Sequence, residues 1–229
     1  MRLNADFNKR VLVHGQKMDW IDSPMPGVQR RPLDRIGGEV ARATSMVKYA
    51  PGSHFSPHVH TGGEEFVVLE GIFQDEHGDY PAGSYCRNPP QSSHTPGSKL
   101  GCVIFVKLWQ FEPDDTTQVR LDCDAMQAST QPGHVGVSVI PLHQDSVEQV
   151  SIEIWEANSE IEQSLEGGAE FLVLDGSFSE RGENLVKHSW LRLPAGSTLR
   201  AKTGDQQARV WVKRGHLLNV DEQEARLPR

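Results

Sequence analysis

The chain has 229 residues, with 23 Lys and Arg against 31 Asp and Glu and a formal charge of −8. That sign, with no Lys or Arg run longer than two, excludes the basic stripe of a nucleic-acid binder. With 37% apolar and 24% charged residues it can bury a core, and at roughly 100–200 residues per domain it suits one large or two modest domains. No apolar run outlasts residues 102–106, far short of the ~20 residues of a membrane span, and no signal-peptide stretch follows Met1. Cys86, Cys102 and Cys123 form no Cys-x-x-Cys pair, which argues against a disulfide framework or a Cys-rich zinc knuckle. A soluble cytoplasmic protein is expected, with neither nucleic acid nor membrane as partner.

In chain order the ordered segments are short and bounded by Gly, Pro, Asn and Asp. Residues 64–69 read as a strand ending at Gly71, Phe73 leads into a polar turn at 75–79, and residues 84–87 stop at Asn88-Pro89-Pro90. Gly101 opens the β-branched and aromatic run 102–109. Such spacing predicts an all-β barrel or sandwich. The one helical candidate is residues 217–227.

An internal repeat sets the organisation. Gly62-Gly63-x-Glu65-Phe66-x-Val68-Leu69-x-Gly71-x-Phe73 recurs as Gly167-Gly168-x-Glu170-Phe171-x-Val173-Leu174-x-Gly176-x-Phe178, eight of twelve positions identical at an offset of 105. The same offset carries Pro89 onto Pro194, and one extra residue aligns Val106-Lys107 with Val212-Lys213. A period this long is domain-sized. Two tandem β-domains are expected, residues 1–125 and 126–229, with a linker in the polar stretch 122–134.

The first repeat carries Gly52-x5-His58-x-His60-x3-Glu64-x6-Gly71, then Gly83-x5-Pro89 and His94. Side chains alternate along a strand, so His58 and His60 share a face. Thr61-Gly62-Gly63 supplies a reversal, Glu64 begins the antiparallel neighbour, and His94 comes from a third strand. Three neutral imidazoles and a carboxylate suit one divalent transition metal: zinc, iron, manganese, nickel or copper. Glu65 has the opposite parity and persists as Glu170, which favours a structural role. Phe66 and Val68 are expected to line the same cavity as Glu64. Tyr85 and Arg87 share a parity, either to orient a substrate or, slightly favoured, to serve packing and an ion pair.

These motifs resemble those of the cupin superfamily, Gly-x5-His-x-His-x3–4-Glu-x6-Gly and Gly-x5-Pro-x-Gly-x2-His-x3-Asn. The first is matched completely; in the second Gln91 replaces Gly and Ser98 replaces Asn. More narrowly, Gly62-Gly63-Glu64-Glu65, Val68-Leu69-x-Gly71 and Arg87-Asn88-Pro89 resemble ChrR-type cupins. The resemblance implies two cupin (double-stranded β-helix, jelly-roll) barrels and places His58, His60, Glu64 and His94 on the metal-ligand positions, with zinc implied for ChrR-type proteins. The sigma-binding half of ChrR carries His-x3-Cys-x2-Cys, which is missing here, so a sigma-factor partner is not expected. In the second repeat the ligand positions become Gln163, Leu165, Ala169 and Leu199, a metal-free scaffold. Two functions stay open: stress, reactive-oxygen or small-molecule sensing, in which Cys86 and Cys102 could be oxidised although strand cysteines are more often inert buried hydrophobes, and a metal-dependent dioxygenase acting on a diketone or hydroxyacetophenone. A small-molecule ligand fits either, and exposed edge strands leave room for a homodimer.

Overall fold

A computed structural model describes residues 1–130 and 135–228. Nearly all regular structure is strand; the helical pieces among the described residues are two 3-10 turns, Gly15–Lys17 and His216–Asn219, and the helix Val220–Ala225. The expected helix at 217–227 is therefore shorter and starts as 3-10, directly after Gly215 at φ 88. No helix among the described residues is long and apolar enough to cross a membrane.

The first unit is built on one antiparallel sheet in which Val28–Gly37, Ala41–Tyr49, Cys102–Leu108, Glu64–Asp75 and Ser84–Asn88 lie side by side. The strand from Glu64 does not end at Gly71 but runs on to Asp75. Gly71 sits at φ 72, where an added Cβ would meet the Gly101 carbonyl at 2.1 Å, so glycine lets the strand kink there against a close neighbour. Beyond the kink the same strand pairs with Gly78–Pro81 and with Gly97–Ser98. Phe66, Phe73, Tyr80, Val68 and Cys86 pack into one core beneath it.

The second unit repeats the order with Val137–Gln144, Gln149–Trp155, Ala208–Arg214, Ala169–Asp175 and Ser189–Leu193. The register repeats too: Phe66 lies opposite Val106, and Phe171 opposite Val212. A second sheet of Glu160–Leu165, Ser197–Thr203, Ser177–Glu180 and Glu183–Val186 supplies the other half of the core. Leu165, Ala169 and Leu199, three of the four counterparts of the first repeat's motif residues, are buried in that core with Trp155. The fourth, Gln163, accepts a hydrogen bond from Arg214 at 2.5 Å, and Arg214 pairs with Glu153 at 2.7 Å.

The division of the chain differs at both ends from residues 1–125 and 126–229. One unit comprises Met1–Ala5, Met18–Ala125 and the residues from Asp221 on; the other comprises Asp6–Lys17 and Met126–Val220. The cause is pairing: Val11–His14 forms an edge strand on Ser189–Leu193. Likewise Gln223 accepts from Arg42 at 2.7 Å and donates to the Gln110 carbonyl at 3.1 Å. Of the stretch 122–134 read as a linker, residues 131–134 lie outside the described residues, while Ser129 and Thr130 pair with Val139 and Ser138.

Candidate metal centre and its cavity

His58 and His94 face each other across a two-stranded ladder formed by His58–Val59 and Ser93–His94. His60 follows one step on, its amide and carbonyl bonded to Ser92 and Gln91. The imidazole centroids are 5.0 Å (His58–His60), 5.2 Å (His58–His94) and 4.6 Å (His60–His94) apart. One nitrogen of each lies within 4.8 Å of the others. Glu64 brings Oε2 to 3.3 Å from His60 Nε2 and 3.5 Å from His94 Nε2.

The outer nitrogens are all occupied. His58 Nδ1 lies 3.0 Å from the Ser56 carbonyl, which can only accept. His60 Nδ1 lies 3.1 Å from Ser92 Oγ, whose own proton is given to the Pro89 carbonyl at 2.6 Å. His94 Nδ1 lies 3.2 Å from Asp75 Oδ2. Each Nδ1 therefore carries its proton outward, leaving the Nε2 lone pairs of the cluster free. Nε2 of His60 and of His94 is buried without a hydrogen-bond partner. An orphaned buried acceptor is costly unless something sits against it, and lone pairs converging on a carboxylate fit a cation. The histidine cluster could thus hold a metal, with Asp75 and Ser92 orienting its rings. Asn88 donates to Glu64 Oε2 at 3.2 Å and fixes that carboxylate.

The electrostatics of the two buried imidazoles differ. Burial lowers the His60 pKa, with the neighbouring imidazoles pushing the same way against Glu64. Burial opposes charge on His94 as well, but the hydrogen bond to Asp75 and the carboxylates of Glu64, Asp75 and Glu76 raise its pKa.

A cavity of about 380 Å³ opens beside the cluster, lined by His58, His60 and Glu64 together with Arg30, Tyr49, Phe55, Val47, Ile104 and Val106. Gly62 and Gly63 shape its rim. A Cβ on Gly62 would fall 2.2 Å from the Trp109 indole, and Gly63 adopts φ 78 against Phe111.

Several expectations are corrected. Glu64 does not open a strand paired with His58–Val59: its strand pairs with Cys102–Leu108 and Ser84–Asn88, so the Thr61–Gly63 reversal carries the chain from one sheet to another. Phe66 and Val68 share the Glu64 face but are consumed by the core, and the cavity opens instead over Ala41–Tyr49. Tyr85 and Arg87 lie on the opposite face and take the favoured of their two expected roles, packing and an ion pair. Tyr85 donates to Glu65 at 2.6 Å; Arg87 pairs with Asp115 at 2.6 Å and stacks over Phe111 at 4.0 Å. Lys107, on that same face, is buried and donates to Thr44 Oγ1 at 2.9 Å, whereas Trp109 lies at the cavity rim. Cys86 and Cys102 are buried, and burial pushes the Cys86 thiol well up and that of Cys102 up to about 11. Both are held protonated, the reverse of what a reactive sensor thiol needs.

Asp75, Ser92, Asn88, Arg30 and Tyr49 are site residues that the motifs did not flag. Asp75 hides in a turn whose polar composition explains itself, since its Oδ1 accepts the amides of His77 and Gly78. Asn88, adjacent to Pro89 and two residues from Cys86 on the Glu64 face, was within reach of strand parity.

The fold and the site motif are those of a cupin, and the family match is confined to the first repeat. Residues 8–112 match the ChrR cupin-like domain. A candidate dioxygenase from Nostoc punctiforme is similar at a TM-score of 0.73 and 16% identity, over 92% of this chain and 84% of that one. The Escherichia coli pirin YhhW in its nickel(II) complex gives 0.63 and 13%, over 90% and 98%. A cupin 2 conserved barrel domain protein from Leptotrichia buccalis gives 0.60 and 11%, over 90% and 96%. No curated protein matches the chain.

Proposed function

We propose that the chain is a bicupin whose first barrel binds one divalent transition metal through His58, His60, Glu64 and His94 and brings it to a small organic molecule in the adjoining cavity. The observation that carries this reading is the pair of buried, unpartnered Nε2 atoms facing the Glu64 carboxylate, with every Nδ1 tied outward. When bound, such an ion supplies Lewis-acid polarisation of an oxygen-bearing ligand and, if it is iron, access to dioxygen chemistry. The chain's own residues do the rest. Asp75 and Ser92 hold two imidazoles in one tautomer, Asn88 aims Glu64, and Phe55, Ile104 and Val106 keep water away from the ligand's apolar part.

Oxygen-linked chemistry on the ligand is the reading favoured by a cavity of this size beside the histidines, and the candidate dioxygenase among the similar folds is consistent with it. A second reading, zinc-linked regulation, draws on the ChrR cupin-like match over residues 8–112. It cannot run through Cys86 or Cys102 as buried here.

Elemental analysis of protein purified without added metal tests the core claim: about one transition-metal equivalent per chain is expected, lost in a His58→Ala/His60→Ala variant. A metal-free chain, or a variant that keeps its metal, overturns it. Iron, nickel or manganese with oxygen uptake on a panel of β-diketones and hydroxyacetophenones supports the oxygenase; zinc with no uptake supports regulation.

A further inference from the structure

The cavity has a second chemical feature, a pair of arginines in its lining. Arg30 and Arg35 both lie on the strand Val28–Gly37, five positions apart, and simple alternation would send them to opposite faces. A bulge intervenes: Pro32 lies opposite Ser45, but the next pair is Asp34 with Thr44. After this shift Arg35 lies opposite Ala43 as Arg30 lies opposite Val47, and both guanidinium groups reach the cavity. Bulges commonly re-aim side chains in this way.

Of the two, Arg35 is anchored, its Nη2 donating to the carbonyls of Gly38 and Glu39. Arg30 is not. Among the described residues its guanidinium has no hydrogen bond and no carboxylate partner, only the Phe55 ring 6.0 Å away. Glu64 accepts from Asn88 and lies against the histidine cluster, and Glu39 is exposed. Burial lowers the pKa of both arginines, and Arg30 lowers that of Arg35 further, so two cations press on one another across a half-buried space. A desolvated charge without a counter-charge is unfavourable, and an incoming anion relieves it. Close by, the Tyr49 hydroxyl also lacks a hydrogen-bond partner; burial holds its pKa well above the ordinary range, so it stands as a neutral donor. The Phe55 ring is near both Arg30 and the histidines, with its centroid 6.1 Å from that of His58.

We propose that the cavity binds a small organic carboxylate, with Arg30 as its anion anchor, Tyr49 as a further donor, and Phe55, Val47, Ile104 and Val106 as the bed for a hydrocarbon body whose other end reaches the histidine cluster. A single free guanidinium offers the planar fork that a carboxylate matches. A phosphate would call for more donors than the apolar walls provide. The volume is within the range of small-ligand sites. This inference rests on the reading of the cavity as the ligand chamber of the metal site, and it deepens that reading by naming the ligand's class.

The test is calorimetric titration of the full chain, as purified and after chelator treatment, with benzoate, hexanoate, their neutral amides and phenyl phosphate. The carboxylates should bind, the amides at least about tenfold more weakly. Arg30→Gln should weaken carboxylate binding by about tenfold or more without lowering the thermal unfolding temperature, while Arg30→Lys, which keeps charge without the fork, should fall between in affinity. Amides that bind as well as carboxylates, an Arg30→Gln variant that binds normally, tighter binding of phenyl phosphate, or no binding by any probe at millimolar concentration each overturn the proposal. Carboxylate binding that vanishes with chelation and ignores Arg30 sinks this inference and leaves the metal reading standing. Arg30-dependent binding by a chain that holds no metal does the opposite.

Discussion

Asp75 holds His94 from behind: its Oδ2 lies 3.2 Å from the imidazole Nδ1, while its Oδ1 closes the turn onto the amides of His77 and Gly78. One carboxylate thereby couples a hairpin tip to the histidine cluster. Removal of such an outer partner typically costs 10–100-fold in metal affinity. Asp75→Ala is expected to weaken metal binding by about that factor with His58, His60, Glu64 and His94 all unchanged, as measured by competition with a chromogenic chelator.

The rim glycines give a steric prediction. Gly62→Ala drives a methyl into the Trp109 indole, and overpacking of this kind costs about 1–3 kcal/mol. Gly52, at φ 77 with nothing within 4 Å of an added Cβ, has only backbone strain to offer, and Gly52→Ala should cost about 1–2 kcal/mol. Urea unfolding of both variants in a Trp109→Ala background separates them: the Gly62 penalty shrinks and the Gly52 penalty does not.

The thiols should be silent. Cys86, Cys102 and Cys123 are buried, and the first two have raised pKa values. At pH 8 a disulfide reagent is expected to label none of them in the folded chain within the time that it labels all three in denaturant. Rapid labelling of one cysteine in the native protein would contradict the packing.

A pH prediction follows from Asp115. Burial alone would raise its pKa, but the hydrogen bonds from Arg87 and the Thr117 amide outweigh that and hold it below the ordinary 3.8. A depressed carboxylate contributes stability above its unfolded pKa and loses it as pH falls through the folded one. Wild type should therefore be more stable than Asp115→Asn near neutrality, and the gap should close on acidification below about pH 4. Urea midpoints of the two proteins at several pH values check the sign.

Much of the fold could be read from residue order because the repeat is written in positions that backbone geometry constrains. Gly71 and Gly176 sit at φ 72 and 69 with a carbonyl 2.1 Å from any added Cβ, so their recurrence reports a shared bend. The clustering of His58, His60 and His94 could be read for a similar reason, the His-x-His spacing being that of one strand face. What escaped was non-local. Whether Glu64 lies beside the histidine strand or arrives from another sheet depends on pairing, which one strand's composition does not encode. The bulge between Pro32 and Asp34 leaves no signature in hydrophobic alternation, so the shared face of Arg30 and Arg35 could not be seen. Gln91, which replaces the motif's glycine, does adopt φ 69, and the turn keeps its left-handed shape without the customary residue.

The exchange of terminal segments has a practical corollary. A gene cut after codon 125 would yield an N-terminal piece still carrying the Val11–His14 strand that its sister needs, and a C-terminal piece carrying off the Gln223 that receives Arg42. Each polypeptide would keep a spare part and miss a required one. The two repeats share one pattern, yet each unit is completed by a segment from the opposite terminus, so a clean cut in the gene falls between codons and not between folds.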